Sequence, residues 1–258
     1  MTAQELTVTL RNLHPQQWNI KNSRAKRKVV RAGRRGGKTT LAADIAVDIF
    51  LNGGRALYGV PTDDQVGRFW FECKRALAEP IEAGIYTKNE TKHIIELPGT
   101  EQRIRAKTAW NADTLRGDYG DYIILDEFQM MEADTLDEVV YPMLLDNNGD
   151  LMLIYTERRG VKGKYVRELF AKEKTDPRWQ SFKFTSHDNP HISAEALQEI
   201  TKDMTQLAYK AEILAEESGD NPDALWKRDM IKRLTKAPSL SRIVVGVDPP
   251  GSVGTECG

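Results

Sequence analysis

The sequence predicts an α/β fold, a mostly parallel central sheet flanked by helices, and three observations carry that expectation. A glycine-rich turn joins an apolar strand to an apolar-faced helix across residues 29–41. An apolar run, Tyr122-Ile123-Ile124-Leu125, ends in the carboxylates Asp126 and Glu127. Between them, strand and helix patterns alternate, the order of parallel strands joined by right-handed crossovers.

The turn is the most informative stretch. Val29 and Val30 close a strand, Arg31-Ala32-Gly33-Arg34-Arg35-Gly36-Gly37 follows, and Lys38-Thr39-Thr40 opens a helix running through Leu41, Ile45, Val47 and Ile49. Strand, glycine-rich turn and helix N-terminus together point backbone N–H groups and the positive end of a helix dipole at one spot, where a polyphosphate sits well. In such a loop Lys38 reaches the β- and γ-phosphates and the Thr39 hydroxyl ligates Mg²⁺, so ATP and Mg²⁺ are the expected ligands. The pattern G-x-x-x-x-G-K-[ST] is met with one departure, Ala32 in place of the first glycine. Gly33 and Gly36 still supply tolerant backbone positions. The plain alternative is a glycine-rich turn ahead of an ordinary helix.

The chain has 258 residues, 40% hydrophobic and 29% charged, which suits one or two globular domains with a sizeable core. Net charge is −1, so nothing global demands nucleic acid, but the charge is unevenly placed. Residues 21–38 hold nine basic side chains and no acid, and residues 121–138 hold seven acids and no Lys or Arg. The pair fits a site for phosphate and a divalent cation, and equally two solvated faces of opposite sign. Cys73 and Cys257 have no metal-ligand spacing, which favours a reducing, intracellular setting. No signal peptide and no apolar run near the roughly 18 residues of a membrane span is present, so a soluble protein is expected.

Ahead of the loop, His14-Pro15-Gln16-Gln17-Trp18 reads as a turn and short helix. A glutamine here is suited to hydrogen-bond an adenine edge; Gln17 is the candidate, and a surface glutamine is the bland reading. Asn52-Gly53-Gly54 stops the loop helix, Arg55–Val60 is a buried strand, and Thr62 or Asp63 caps a helix carrying Val66, Phe69, Trp70, Cys73 and Leu77 toward the core. Residues 93–97 and 103–107 form a hairpin.

Asp126 and Glu127 end a strand buried on both faces, where ligands of open α/β sheets bind. Asp126 is expected to hold Mg²⁺ through its water shell and Glu127 to orient and deprotonate the attacking water, since adjacent strand-end side chains diverge. Arg116, in the loop Asp113–Asp121, either stabilises γ-phosphate charge in its own or a neighbouring subunit or pairs with Asp113 or Asp118. Leu151–Thr156 is another buried strand, with Thr156 placed to sense the γ-phosphate from between the first strand and the acidic one. Residues 179–185 are a strand; helical patterns cover 194–203 and 206–216. His187 and His191 lack a partnered motif. Residues 1–216 form one domain, 217–240 a linker, and 241–258 a renewed strand ending at Asp248.

These stretches resemble the large subunit of tailed-bacteriophage or prophage terminases, the DNA-packaging motors. The resemblance rests on Gln17 as adenine-motif glutamine, on Ala32–Thr39 as a Walker A variant rich in arginine, and on Pro61-Thr62 after the second strand. Leu115-Arg116-Gly117 ahead of the Walker B run Ile123–Glu127, and Thr156 in the coupling motif, complete it. It implies a P-loop NTPase of the additional-strand, RecA-like class with a catalytic glutamate. It further implies ATP-driven translocation of double-stranded DNA by a homo-oligomeric ring, a pentamer, docked on a procapsid through a portal protein, with a small terminase subunit as partner, in the cytoplasm of an infected bacterium. Arg34 then matches a residue touching phosphate from within the loop and Arg116 a finger on a neighbour's ATP. Asp248 matches the first metal-binding residue of an RNase H-like nuclease whose other acids are not in this chain, so no cleavage is expected of it. Glu157 stands after Thr156 where the family often has proline.

Overall fold

The computed structural model describes residues 6–109, 115, 118–132, 134–145, 147–158, 161–217 and Met230. The chain divides into residues 1–219 and 220–258. Of the second unit only Met230 is described, so the renewed strand with Asp248 lies outside the described residues, as does Arg116 in the first.

Eight strands form one sheet in the order β3-β4-β5-β2-β6-β7-β1-β8. They are β1 (Arg27–Ala32), β2 (Arg55–Val60), β3 (Thr87–Asn89), β4 (Ile94–Glu96), β5 (Arg103–Thr108), β6 (Tyr122–Leu125), β7 (Asp150–Tyr155) and β8 (Trp179–Phe184). The six from β5 to β8 in that order pair parallel, and β4 and β3 add an antiparallel edge. β7 therefore separates the glycine-turn strand β1 from the acidic strand β6. That inserted strand agrees with the additional-strand class expected from the sequence.

The strands read as continuous apolar runs because both faces are covered. On one face Val30, Tyr58, Ile104, Ile124 and Ile154 pack with α1 (Pro15–Lys21), α2 (Lys38–Leu51) and α3 (Asp63–Ala76). On the other, Val29, Leu57, Ile123, Leu125, Leu151 and Leu153 pack against Leu136, Val140 and Leu144 and against Val166 and Leu169. Period-two alternation divides each strand between the two cores. α2 carries small and aliphatic residues almost all round because it is enclosed: Leu41, Ala42, Ala46, Val47 and Phe50 are fully buried. Gly53 ends it at φ 85°, the left-handed position that expels a side chain. Phe69 and Trp70 are core, as their spacing predicts.

Several segments depart from the sequence expectation. α4 (Ala78–Glu82) and a six-residue π-helical turn over Thr135–Val140, leading into α5 (Tyr141–Leu145), are additional. Helix α6 (Val161–Ala171) was not predicted: Gly163 weakens its propensity, and its apolar face is narrow, with Val166 and Leu169 fully buried. After α7 (Ala194–Thr201), the helical pattern at 206–216 resolves into a single short turn, α8 (Gln206–Ala208), and a π-helical turn Tyr209–Ile213.

One buried cation sits awkwardly in this core. Lys28, in β1, is 3% exposed, and its ammonium has the Tyr122 hydroxyl at 3.2 Å as its hydrogen-bond acceptor. Burial pushes its pKa below the usual lysine value, with Asp150 pulling the other way. The unfolded chain then binds more protons than the folded one, so stability rises with pH between the depressed value and the ordinary one near 10.4. Lys28→Met is expected to raise the unfolding free energy at pH 7 by about 1–2 kcal/mol. That advantage should narrow as denaturation is repeated toward pH 9.5; a gap that widened would contradict the burial argument.

Candidate active site at the carboxyl ends of the strands

The glycine-rich turn lies between β1 and α2, and its conformation is unusual in how its carbonyls are used. A loop that turns its N–H groups inward to hold an anion turns carbonyls outward, and those must find donors. Four successive ones do. Ser186 Oγ donates to Arg34 O at 2.7 Å, Asn189 Nδ2 to Arg35 O at 2.6 Å, His14 Nε2 to Gly36 O at 3.1 Å and Gln17 Nε2 to Gly37 O at 2.8 Å. Because a carbonyl only accepts, His14 carries its proton on Nε2. Gln17 Oε1 in turn accepts from the His14 backbone N–H at 2.9 Å, which closes the first turn of α1.

Glycine is required at two points. Gly37 has φ 96° and lies against Gln17: a Cβ there would fall 2.5 Å from Nε2. A Cβ on Gly33 would fall 2.4 Å from Ile213 O and 2.7 Å from Ser186 N. Arg35 supplies a further left-handed position, φ 59°. Ala32 at the place of the missing first glycine is fully buried, and the turn closes after it through Gly36 N to Gly33 O at 3.1 Å.

Lys38, at the first position of α2, brings the separated strands together. Its ammonium donates to Thr156 Oγ1 at 2.8 Å and lies 3.8 Å from Glu127 Oε1. Thr156 follows β7 and Glu127 comes two residues after β6, so two strand ends converge on the cation that opens α2. Glu127 has φ 52°, an uncommon conformation for a non-glycine residue. Its two oxygens are differentiated: Oε2 accepts from Gln129 Nε2 at 2.6 Å, and Oε1 faces Lys38.

Asp126 is buried behind it. Oδ2 accepts from the Tyr58 hydroxyl at 2.9 Å, and Oδ1 from the Glu127 backbone N–H at 2.9 Å. Tyr58 is itself fixed by stacking on Phe69, 3.8 Å between ring centres and 2° from parallel. Burial, and then the Glu127 charge, push the Asp126 carboxyl up to about 6, against the pull of Lys38. A bound cation would relieve that penalty. No group of three or more His, Cys, Asp and Glu gathers into a metal cage among the described residues. Mg²⁺ at phosphate sites needs no such cage, using one or two carboxylates with phosphate and water, so Asp126 with Thr39 on the first turn of α2 is a fitting donor set.

The remaining predicted residues are placed as follows. Thr40 is half-buried on the first turn of α2 and Arg35 is exposed. Arg34 is exposed and its guanidinium is paired with the Glu212 carboxylate. Gln17 is buried beside the loop. Arg116 lies outside the described residues; Asp118, weighed as its partner, is held by Arg105 at 2.6 Å, Lys107 at 2.8 Å and Arg103 at 3.4 Å. His187 is exposed and meets the Tyr209 hydroxyl at 3.0 Å. The basic run is largely spent internally: Lys21 pairs with Asp44, Lys26 with Asp150, and Arg31 lies 3.7 Å from Glu157 and over the Phe170 ring.

Tyr58, Gln129, His14 and Glu212 join the site without having been singled out in the sequence. Only Gln129 left a local signal, two residues after Glu127. Glu157 is also more than a substitution for proline. Its side chain is fully buried, accepts from Arg167 Nη1 at 2.8 Å, and belongs to an ionic cluster with Arg31 at the end of β1.

No protein-family model matches the sequence, and no curated protein sequence matches it. Solved structures do. The large terminase ATPase domain of Thermus phage P74-26 is similar to this chain at 25% identity and TM-score 0.67, covering 80% of this chain and 94% of that one. The large terminase of bacteriophage HK97 is similar at 15% identity and TM-score 0.65, over 80% of this chain and 51% of that one. A large terminase from a thermophilic bacteriophage in complex with ADP is similar at 12% identity and TM-score 0.57, over 79% and 53%. At the two lower identities the likeness is one of fold. The resemblance to large terminases read from the motifs thus extends to the three-dimensional arrangement of their ATPase domains.

Gly33→Ala is expected to force residues 186 and 213 away from the loop and to lower stability by about 1–3 kcal/mol. Gly67→Ala, in α3 with nothing within 4 Å of its added methyl, is expected to stabilise by about 0.5–1 kcal/mol. Thermal denaturation of the two variants should move in opposite directions; equal shifts would remove the packing role given to Gly33.

Proposed function

We propose that this chain is the ATPase of a phage DNA-packaging motor, hydrolysing ATP to drive double-stranded DNA into a procapsid. The observation that carries the reading is the meeting of Lys38 at the start of α2 with Thr156 and Glu127 just beyond β7 and β6, Lys38 Nζ lying 2.8 Å from Thr156 Oγ1 and 3.8 Å from Glu127 Oε1. Likeness to the P74-26 ATPase domain across four-fifths of the chain supports it.

In this reading the N–H groups of Gly37 and Lys38 and the Lys38 ammonium cradle the β- and γ-phosphates, with Gly33 and Gly36 shaping the turn through the Gly36 N–H bond to Gly33 O. Glu127 Oε1 orients a water in line with the γ-phosphorus and takes its proton as the water oxygen bonds to phosphorus and the bond to the bridging β,γ oxygen breaks, leaving ADP and phosphate. Gln129 holds Oε2 so that the other oxygen faces the reaction. Thr39 and Asp126 hold Mg²⁺, which offsets the negative charge of the phosphates when bound. Thr156 shares its hydroxyl between Lys38 and the γ-phosphate, and Arg34 adds a phosphate contact. Arg35 and Thr40 flank the cradle. Gln17 keeps a second amide hydrogen, beyond the one given to Gly37, for an adenine edge.

Arg116 supplies charge to the γ-phosphate of a neighbouring subunit. The working assembly is a homo-oligomeric ring, a pentamer, docked on a portal protein and loaded by a small terminase subunit in the host cytoplasm. Residues 217–240 form a linker and 241–258 the first strand of a nuclease domain, in which Asp248 is a metal ligand.

Glu127→Gln is expected to leave ATP affinity unchanged and to lower turnover by roughly 10²–10⁴-fold. Lys38→Ala should instead abolish nucleotide binding in a titration with fluorescent ATP. Turnover of Glu127→Gln at the parent rate would remove Glu127 from the mechanism.

A further inference from the structure

Tyr58 carries a hydroxyl that the packing around it does not need. The residue is buried in β2 and its ring stacks on Phe69 of α3, 3.8 Å between centres and 2° from parallel. A phenylalanine would make the same stack, so the reason for the hydroxyl lies in what it touches. It donates to Asp126 Oδ2 at 2.9 Å. The register of the parallel pair β2 and β6 explains the meeting: Tyr58 lies opposite Ile124, and Asp126, two residues further on, falls on the same face and nearer the site. Beside it, the Asp126 backbone N–H donates to Gly59 O at 2.9 Å. β2 therefore fixes both the main chain and the side chain of Asp126.

That carboxylate has a competing partner close by. Lys38 attracts it electrostatically, yet the ammonium is engaged by Thr156 Oγ1 at 2.8 Å and faces Glu127 Oε1 at 3.8 Å. A carboxylate free to rotate about its side-chain bonds would turn onto the ammonium, because a charged hydrogen bond in buried surroundings is a strong one. Lys38 would then be drawn from Thr156 and from the phosphates. Two hydrogen bonds oppose that rotation: the Tyr58 hydroxyl on Oδ2, and the Glu127 backbone N–H on Oδ1 at 2.9 Å. The second is local to the strand end. The first is brought by another strand, and the Phe69 stack keeps its ring from following the carboxylate.

We propose that Tyr58 is a positioning residue for metal binding: its hydroxyl holds the Asp126 carboxylate in one orientation and off the Lys38 ammonium, so that the anion is preset for a divalent cation. The proposal rests on the reading of Asp126 as a Mg²⁺ ligand. Lys38 stays with Thr156 and the phosphates, and Asp126 with the cation. The stack of β2 on α3 thereby keeps two opposite charges of one site from neutralising each other. The hydroxyl also draws some charge from Oδ2, which by itself would weaken a cation's hold. Orientation outweighs that loss, because without the bond the buried carboxylate has the lysine to turn to.

The test is a double-mutant cycle on the whole chain with Mn²⁺ as the probe, titrated by electron paramagnetic resonance in saturating ADP, in the parent, Y58F, D126N and Y58F/D126N. Phenylalanine keeps the stack on Phe69, and thermal melting verifies that each variant folds. Y58F is expected to weaken Mn²⁺ by roughly tenfold or more, with ADP affinity in EDTA unchanged. D126N should weaken Mn²⁺ at least as much, and Y58F should add nothing in the D126N background. If D126N weakens Mn²⁺ and Y58F does not, the role of Tyr58 is overturned and that of Asp126 stands. If Y58F weakens ADP in EDTA by the same factor as Mn²⁺, the hydroxyl serves the fold rather than the cation, and the proposal is likewise overturned. If D126N itself leaves Mn²⁺ binding unchanged, Asp126 is not a metal ligand and the inference falls with that reading.

Discussion

An anion-binding loop presents N–H groups to its ligand only by turning its carbonyls the other way, and the structure around residues 34–37 is arranged to answer that constraint. Each orphaned carbonyl would cost about 1–3 kcal/mol. The donors come from α1 through His14 and Gln17, and from the segment after β8 through Ser186 and Asn189. Helix α1 and the 186–189 turn are therefore parts of the loop in all but sequence. The crowding they impose explains why Gly33 and Gly37 must lack a Cβ.

The sheet order sets the second half of the site. With β7 between β1 and β6, a residue following β7 meets the Lys38 ammonium directly, and the acidic strand is one place further out. Glu127 spans that distance through its left-handed backbone and a long side chain, and the shorter Asp126 stays buried against Tyr58. The two neighbouring carboxylates thus occupy different environments. One is partly exposed and faces the ammonium; the other is buried and held by a hydroxyl and a backbone N–H.

What was legible in the sequence was what is local. The strand–turn–helix at 29–41 and the apolar run ending in Asp126-Glu127 declare themselves through period and residue type over a dozen positions or fewer. Contacts across the chain did not. Tyr58 and Asp126 are 68 residues apart, and Arg34 and Glu212 are 178 apart, so nothing near either residue announces the other. Charge counting stopped short for a related reason: it left the basic run at 21–38 open between a phosphate site and a solvated face, and the fold buries Lys28 and pairs Lys21, Lys26, Arg31 and Arg34 with carboxylates from elsewhere in the chain. Helix α6 was obscured by Gly163 and by a narrow apolar face.

The buried cluster of Glu157 with Arg31 and Arg167 also bears on how this chain can change over generations. Removing one member of a buried ionic group leaves an uncompensated charge, a loss of about 3–5 kcal/mol, whereas replacing the whole group with apolar residues is often neutral. Glu157 is fully buried, so its loss would take from Arg31 the carboxylate 3.7 Å away, beside the residue that touches Lys38, and leave Arg167 to Glu217 at 3.3 Å. The positions are therefore energetically coupled, and the effect of changing one depends on the others. Exchange of Glu157 for an uncharged residue is therefore expected to cost least when Arg31 is replaced with it.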